Sequence, residues 1–177
     1  MTGVQTCALP ILEYLTAASA VVSIPCLRKD FIIDPFQILE ARAAGADAIL
    51  LIVAAHTDED LKSLFVEAQR MELDVLCEVH DREELERAAA LGFTVLGVNS
   101  RNLHTMQVLP QTQIELAKWL PRQAVRVAES GIRSAGDIAQ LQNVGYDAFL
   151  VGESLMRQPD PAAALATLLE REYSSEI

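Results

Sequence analysis

The sequence has few cysteines and histidines, and none of them is spaced as a metal site. Its three cysteines, Cys7, Cys26 and Cys77, lack metal-ligand spacing, and their odd number argues against a disulfide framework. Its three histidines form no His-x3-His pair and no cluster with carboxylates, so the sequence predicts no metal site. Cys26 and Cys77 lie in apolar runs, which favours buried thiols and a protein of the reducing cytoplasm.

Long apolar runs and an excess of positive charge are also missing. No run approaches the roughly 20 apolar residues that a membrane-spanning helix needs. The formal net charge is −11, which argues against a general nucleic-acid binder or a binder of anionic membranes. An acidic protein can still bind a phosphate locally, so a small anionic substrate stays open. The 177 residues, 51% of them hydrophobic and 22% charged, suit a soluble globular protein with a sizeable core.

The first eleven residues differ from the rest of the chain. They lack the basic segment of a secretory signal peptide, and their pattern does not continue into the residues that follow. They resemble a translated sequencing adapter. We therefore expect a non-native leader over 1–11, one domain over 12–172 and a frayed tail over 173–177. An ordinary disordered leader is the alternative.

One pattern recurs along the rest of the chain. Short apolar runs each end in a polar or charged residue, and a helix-like stretch follows. The predicted strands lie near 22–27 and at 48–53, 74–78, 95–98, 125–129 and 148–151. A helix is predicted to end near 22, another to start near 57, and others to cover 36–44, 81–92, 112–120, 134–143 and 161–172.

Six strand–helix units without linkers favour a (β/α)8 barrel, in which eight such units close over about 250 residues. The segments 44–50 and 144–150 are alike, because each joins a helix end, a Gly, an Asp and a strand. An open doubly wound sheet is the competing architecture, but the Gly-rich dinucleotide-binding loop typical of it is missing. The predicted fold class is α/β, a TIM barrel truncated to about six βα units.

Lys29 is the first candidate for chemistry, because the carboxyl ends of such strands are where barrel active sites are built. The chain has three lysines, and the other two, Lys62 and Lys118, lie in predicted helices. Lys29 stands at a predicted strand end, where partial burial would lower its pKa and make it a usable proton donor or acceptor. The alternative is a surface lysine paired with Asp30 or Asp34.

Two further strand ends carry polar side chains suited to a ligand site. Glu78 follows a buried strand and can transfer protons, unless it is a rim carboxylate bonded to His80 or an arginine. Asn99 with Arg101 can bind hydroxyls, a carboxylate or a phosphate, since a guanidinium donates two parallel hydrogen bonds. The alternative for this second pair is a loop-capping Asn beside a surface Arg.

Glycines stand at the last two predicted strand ends, in Ser130-Gly131 and Gly152-Glu153. In barrels, the loops after strands seven and eight often form a phosphate site together with the N-terminus of a short helix. Glycine lets the backbone approach the phosphate, and free N–H groups bind it. One such glycine is a weak signal, whereas two at consecutive strand ends are moderately specific.

At these residues the chain resembles the indole-3-glycerol-phosphate synthase family, the barrel enzymes of tryptophan biosynthesis. The resemblance covers about 12–169, and its segments keep the order of the family. The matching segments are 25–35 (PCLRKDFIIDP), 40–52 (EARAAGADAILLI), 78–81 (EVHD), 97–103 (GVNSRNL), 128–132 (AESGI) and 150–156 (LVGESLM).

The resemblance implies a ring closure. The family converts 1-(2-carboxyphenylamino)-1-deoxyribulose 5-phosphate to indole-3-glycerol phosphate, releasing carbon dioxide and water, with no metal or organic cofactor. Lys29 would be the general acid that protonates the substrate carbonyl. Glu78 would transfer protons and stabilise the developing cation, and Asn99 would orient the substrate hydroxyls.

The resemblance also implies a set of substrate-binding residues: Phe31, Arg101, Glu129, Ser130, Gly131, Gly152 and Glu153. Phe31 would pack on the aromatic ring, and Arg101 would lie toward the anionic groups. Glu129 and Ser130 would line the pocket. The two glycines and Glu153 resemble the phosphate loops, with Glu153 acting through its backbone rather than its charge.

The chain departs from the family at its beginning. The family's first strand carries a glutamate and a lysine in a segment that ends Ser-Pro-Ser, and nothing like it occurs here. We therefore interpret the chain as a C-terminal fragment that holds strands 3–8 of the barrel. Fusion of the parent to another tryptophan-pathway enzyme, and its oligomeric state, stay open.

Two other functions stay open. One is a sugar-phosphate isomerase of the sister barrel family, of the phosphoribosylanthranilate isomerase type. It would share the phosphate loops but not segments 27–31 and 78–81. The other is an inert remnant that binds phosphate weakly or not at all. The expected partner is a small anionic sugar phosphate, not a nucleic acid or a membrane.

We expect the 177-residue chain alone to form little or no indole-3-glycerol phosphate, because the acid and base of the family's first strand are missing from it. The purified chain should be assayed by the fluorescence of the product, beside a family member with a complete barrel. Near-native turnover by the 177 residues would contradict the interpretation as a fragment.

Overall fold

The structure is a computed structural model that describes residues 8–103 and 105–169. The chain forms two compact units. Unit one contains the chain up to residue 78 together with 90–93, and unit two contains 79–89 and the chain from 94 onward. Most of the predicted leader, all of the predicted tail and His104 lie outside the described residues.

Unit one alternates helices with parallel strands. Its elements are α1 (Ala8–Ser19), β1 (Leu27–Arg28), α2 (Pro35–Ala43), β2 (Ala48–Ile52), α3 (Asp58–Arg70) and β3 (Asp74–Val79, whose last residue is assigned to unit two), with a 3-10 turn at Val53–Ala55. Strand β2 pairs in parallel with both β1 and β3. The register aligns Ile52 with Glu78. The last residue of β2 therefore lies beside a predicted site residue.

Unit two repeats this alternation. Its elements are α4 (Arg82–Ala90, whose last residue is assigned to unit one), β4 (Val95–Asn99), α5 (Gln111–Ala117), β5 (Val125–Glu129), α6 (Ala135–Asn143), β6 (Ala148–Leu150), α7 (Glu153–Met156) and α8 (Pro161–Leu169). Strand β5 pairs in parallel with β4 and β6. Six strand–helix units within the described residues confirm the predicted class, an α/β fold with about six βα units of a TIM barrel.

Local sequence signals explain where these elements begin. Asp34 caps α2 by accepting from the N–H of Phe36 at 2.8 Å, and Pro35 occupies the first helical position. The apolar run of β2 is buried along almost its whole length, as expected for a parallel strand covered on both faces. No helix of the described residues is long and apolar enough to cross a membrane.

The first predicted strand is placed wrongly. The strand predicted near 22–27 is reduced to β1, which covers Leu27–Arg28. Val21 and Ile24 are 81% and 70% exposed, and Pro25 has no N–H to donate to a ladder, so the apolar residues before β1 do not join the sheet. Cys77 is buried as predicted, whereas Cys26 precedes β1 and is partly exposed.

The first helix also differs from the expectation. Helix α1 begins at Ala8 and therefore crosses the boundary between residues 11 and 12 that the sequence suggested for the leader. It ends at Ser19, three residues before the predicted end near 22. The exposed Val21 and Val22 follow it.

Gly45 and Gly92 form a matched pair for testing a close approach in unit one. Both have left-handed φ angles, +87° and +86°. A Cβ atom at Gly45 would meet the Ser19 hydroxyl and lie 2.9 Å from Ser19 Cβ, whereas at Gly92 it would meet nothing within 4 Å. Ser19 donates to the carbonyl of Ala44 at 3.3 Å, so moving its side chain away from a new Cβ atom would break this hydrogen bond.

Gly92→Ala should lower the free energy of unfolding by about 1 kcal/mol, the cost of a left-handed alanine. Gly45→Ala should lower it by about 2–3 kcal/mol, because the contact with Ser19 adds to that cost. Urea unfolding followed by circular dichroism measures both. Equal losses would show that the Ser19 side chain yields without cost.

Candidate active site

An ion pair between Lys29 and Glu78 is the first element of the site, and it lies in unit one. The Nζ of Lys29 donates to Oε2 of Glu78 at 3.2 Å. Lys29 directly follows β1, and Glu78 lies at the end of β3, so both side chains start from strand ends. The Lys29 side chain is 40% exposed and that of Glu78 is 2% exposed. A partly exposed lysine side chain is thus held by a buried carboxylate.

The two acidic neighbours of Lys29 in the sequence have other roles. Asp30 accepts from the Nη2 of Arg28 at 3.2 Å, and Asp34 caps α2. This arrangement suits a proton donor, because the Lys29 side chain is partly exposed while the carboxylate fixes the position of its ammonium. The pairing with Glu78 distinguishes Lys29 from the surface lysine that was its alternative.

Arg28 is a buried cation that sequence reasoning missed. Its side chain is 1% exposed. Its Nη1 donates to the carbonyl of Gln37 at 2.5 Å and to Oε2 of Glu40 at 3.4 Å. These contacts tie β1 to α2. Alternate residues of a strand point to opposite faces, so Arg28 turns toward the helix while Lys29 turns toward Glu78. That alternation was the available sequence signal.

Phe31 is 59% exposed, in the loop between β1 and α2. The loop backbone is nonetheless held at both polar groups of this residue. Its N–H donates to Oδ1 of Asp30 at 2.8 Å, and its carbonyl accepts from Nε2 of Gln37 at 3.0 Å. A fixed backbone with an exposed ring is suited to contact with an aromatic ligand.

Asn99 and Glu129 end neighbouring strands of unit two. The register pairs them directly across β4 and β5. Both are buried, at 7% and 1% exposure. Asn99 Oδ1 accepts from the N–H of Arg101 at 2.9 Å, as a loop-capping asparagine would. The same contact fixes the backbone that carries the Arg101 side chain.

Two successive left-handed residues, Ser130 and Gly131, form the turn after β5, with φ of +66° and +77°. The left-handed region is costly for a serine. Gln113 of α5 holds two carbonyls at this turn, because its Nε2 donates to Glu129 O at 2.7 Å and to Ser130 O at 3.3 Å. Ser100 Oγ donates to the same two carbonyls, at 3.3 and 3.1 Å.

Gln113 and Tyr146 are functional supports that sequence reasoning did not identify. Gln113 is 2% exposed, and the Tyr146 hydroxyl donates to its backbone carbonyl at 2.9 Å. Burial raises the pKa of Tyr146 above its ordinary value, against the lowering effect of Arg126, so the hydroxyl stays a donor. Glutamine on the buried face of α5 was the only sequence signal, since its acceptors are distant along the chain.

A pocket of about 360 Å³ lies beside this turn, within the range of small-ligand sites. Its lining residues are Arg101, Val108, Gly131, Ile132, Arg133, Glu153, Ser154, Arg157 and Gln158. Ser154 Oγ donates to the carbonyl of Ile132 at 2.9 Å, which anchors α7 against the loop after β5. A Cβ atom added at Gly152 would meet nothing within 4 Å, so the start of α7 borders open space.

The carboxylate of Glu153 pairs with arginines of this pocket, and the expected contact of its backbone with a phosphate stays a prediction. The Nη2 of Arg101 donates to its Oε2, and the Nη2 of Arg157 lies 2.7 Å from its Oε1. The hydrogen bond from Arg101 is the main cause that lowers the pKa of Glu153, and the charge of Arg157 adds to it. Arg157 lies one helical turn from Glu153 and Arg101 lies across the pocket, so both guanidinium charges act on the Glu153 carboxylate.

The structure therefore brings the predicted residues together in two groups, one in each unit. Unit one joins Lys29 and Glu78, with Phe31 on the adjoining loop. The second group, in unit two, consists of Asn99, Arg101, Glu129, Ser130, Gly131, Gly152 and Glu153. Among residues 8–103 and 105–169, no three His, Cys, Asp or Glu side chains are grouped as a metal site.

Comparison with known proteins identifies relatives along most of the chain. The family model described as indole-3-glycerol phosphate synthase matches residues 11–168. The indole-3-glycerol phosphate synthase of Koribacter versatilis strain Ellin345 is 61% identical over 158 residues, which are 89% of this chain and 61% of that protein. The one of Azospirillum brasilense is 52% identical over 157 residues, 89% of this chain and 60% of that protein. The chain thus spans about three fifths of the length of these relatives.

Solved structures with low sequence identity share the fold. The 3-hexulose-6-phosphate synthase of Salmonella typhimurium superposes with a TM-score of 0.74 at 17% identity, over 89% of this chain and 77% of that one. A mandelate oxidase variant superposes with a TM-score of 0.70 at 20% identity, over 87% of this chain and 58% of that one. These likenesses concern the fold alone.

Gln113→Leu should lower the free energy of unfolding by about 0.5–1.5 kcal/mol, since it removes hydrogen bonds to the carbonyls of Glu129 and Ser130, which keep Ser100 as their other donor. Gln142→Leu is the matched control, because Gln142 is exposed on α6, and it should change stability by less than about 0.5 kcal/mol. Urea unfolding of both variants measures the difference. A loss for Gln113→Leu no larger than the control's would contradict its role as a support of the turn.

Proposed function

The chain belongs to the indole-3-glycerol phosphate synthase family, and from this premise we propose that the complete protein closes the indole ring in tryptophan biosynthesis. Its substrate would be 1-(2-carboxyphenylamino)-1-deoxyribulose 5-phosphate, and carbon dioxide and water would leave. The observation that carries the proposal is the ion pair between the half-exposed Lys29 and the buried Glu78. The reaction would need no metal or organic cofactor, as the family resemblance implies.

Lys29 is the general acid of this proposal. Ring closure forms a carbon–carbon bond at the substrate carbonyl, whose oxygen takes a proton as its charge develops. The Lys29 ammonium is held 3.2 Å from a buried carboxylate, while the side chain that carries it is partly exposed. Preorganised charge of this kind stabilises a transition state, because little reorganisation is needed when the reaction occurs.

Glu78 has two tasks in the proposal. It orients Lys29, and its carboxylate stabilises the cation that develops on the substrate nitrogen. It is 1% exposed, and a charge in such surroundings acts more strongly than in water. A buried carboxylate beside an ammonium can also take up the proton that the product must lose.

The arginine pocket of unit two is proposed to bind the substrate phosphate. Arg101, Arg133 and Arg157 line it, and guanidinium groups match the geometry of phosphate oxygens. Gly131 and Gly152 keep the adjoining backbone free of side chains. Asn99, Glu129 and Ser130 are proposed to orient the hydroxyls and line the pocket, and Phe31 to pack on the aromatic ring.

The class of substrate and the cellular compartment of the reaction belong to the same proposal. The ligand is a small anionic sugar phosphate, and the reaction is placed in the cytoplasm, as the cysteine pattern suggests. The matched family and relatives carry the synthase name, so the sister-family isomerase is not favoured.

In the complete protein, Lys29→Ala should lower kcat by a factor of about 10²–10⁴, the usual contribution of a positioned general acid, and leave substrate affinity nearly unchanged. Product fluorescence measures kcat, and equilibrium titration measures substrate binding. Lys62→Ala is the control, because Lys62 is exposed on α3 and should keep full turnover. Retained turnover in Lys29→Ala would refute the general-acid role.

A further inference from the structure

The pocket of unit two already contains an anion that belongs to the chain. Glu153 uses both carboxylate oxygens, since Oε2 accepts from Arg101 and Oε1 lies 2.7 Å from the Nη2 of Arg157. Arg133, on the loop after β5, lines the same pocket and contributes to the field on this carboxylate. A side chain that bridges two guanidinium groups occupies donors that an incoming anion would need.

The charges of the pocket quantify this competition. Three guanidinium groups and one carboxylate leave a net charge of two positive units around the cavity. A phosphate monoester carries about −1.5 to −2 charges at neutral pH, so it can neutralise the net positive charge of the pocket. Its interaction with Arg101 and Arg157, however, is opposed by the like charge of Glu153 as long as the carboxylate stays in place.

We propose that Glu153 is an internal anion that holds Arg101 and Arg157 in the empty pocket and yields them to the phosphate of the substrate. This inference rests on the proposed phosphate role of the pocket. Phosphate binding then exchanges one partner of the arginines for another, and Glu153 weakens the final affinity. Weak anions of the solvent meet the same competitor and are kept out.

The surroundings of Glu153 allow this exchange without a rearrangement of the fold. Its side chain is 52% exposed, so the carboxylate can turn into water. The backbone stays fixed, because Ser154, the next residue, is tied to the carbonyl of Ile132. The Arg101 side chain is 26% exposed, and its main chain is held by Asn99. The arginines therefore remain available to a ligand after the carboxylate has left.

The test is the affinity of the 177-residue chain for inorganic phosphate, followed by NMR titration of 15N-labelled arginine side chains. Glu153→Gln keeps the shape of the side chain and removes its charge. It should bind phosphate about threefold to tenfold more tightly than the unchanged chain, the scale expected for two partly exposed ion pairs. Glu115→Gln removes the same charge from the exposed face of α5 and should leave the affinity unchanged.

A third variant, Arg133→Gln, separates this inference from the proposed function. If it weakens phosphate binding while Glu153→Gln binds phosphate no more tightly than the unchanged chain, the internal anion is overturned and the phosphate pocket stands. If neither the unchanged chain nor Glu153→Gln binds phosphate at the arginines, the proposed phosphate role of the pocket and the internal anion both fail. Tighter binding in Glu115→Gln equal to that in Glu153→Gln would assign the effect to net charge and overturn the inference.

Discussion

The contact between Lys29 and Glu78 constrains the rest of unit one. A carboxylate that is almost wholly buried is costly unless an opposite charge or hydrogen bonds compensate for it, and the ammonium of Lys29 provides that compensation at 3.2 Å. The ammonium can do so only if β1 places Lys29 at the level of Glu78 in the sheet, across the intervening strand β2. Strand β1 has two residues, so its position depends on Arg28, whose guanidinium reaches the carbonyl of Gln37 in α2. One buried cation thus helps to position Lys29, its neighbour and the proposed general acid.

Unit two solves a different problem, the presentation of backbone and arginines around a small cavity. Gln113 and Ser100 hold the strained turn at Ser130 and Gly131, because their side chains donate hydrogen bonds to backbone carbonyls of the turn and of the residue before it. In front of the turn, charged side chains dominate. The chemistry proposed for the two units is accordingly different: proton transfer relies on one ion pair in unit one, and anchoring relies on several cations in unit two.

Signals that are local in sequence predicted most of the fold. The Asp34-Pro35 start of α2, the apolar run of β2 and the polar residues at strand ends follow from neighbours a few positions apart. The misplaced first strand shows the limit, since an apolar run with Pro25 does not reveal whether a partner strand reaches it. The contacts of Gln113 with Glu129 and of Glu153 with Arg101 escaped prediction for a related reason. Their partners lie 16 and 52 residues away, at Glu129 and Arg101.

The opposite orientations of Arg28 and Lys29 have a consequence for changes in chain length. A deletion or insertion of one residue just before β1 would exchange the two cations between its faces, because side chains alternate along a strand. The shorter, more strongly hydrated ammonium would then face the acceptors of α2, and the branched guanidinium would face Glu78. A substitution in this segment alters one side chain and can have a small effect, whereas a change in length moves both cations to the opposite face at once. Engineered or natural variants of unit one should therefore carry their insertions in the loop between β2 and α3, which leads into neither β1 nor β3.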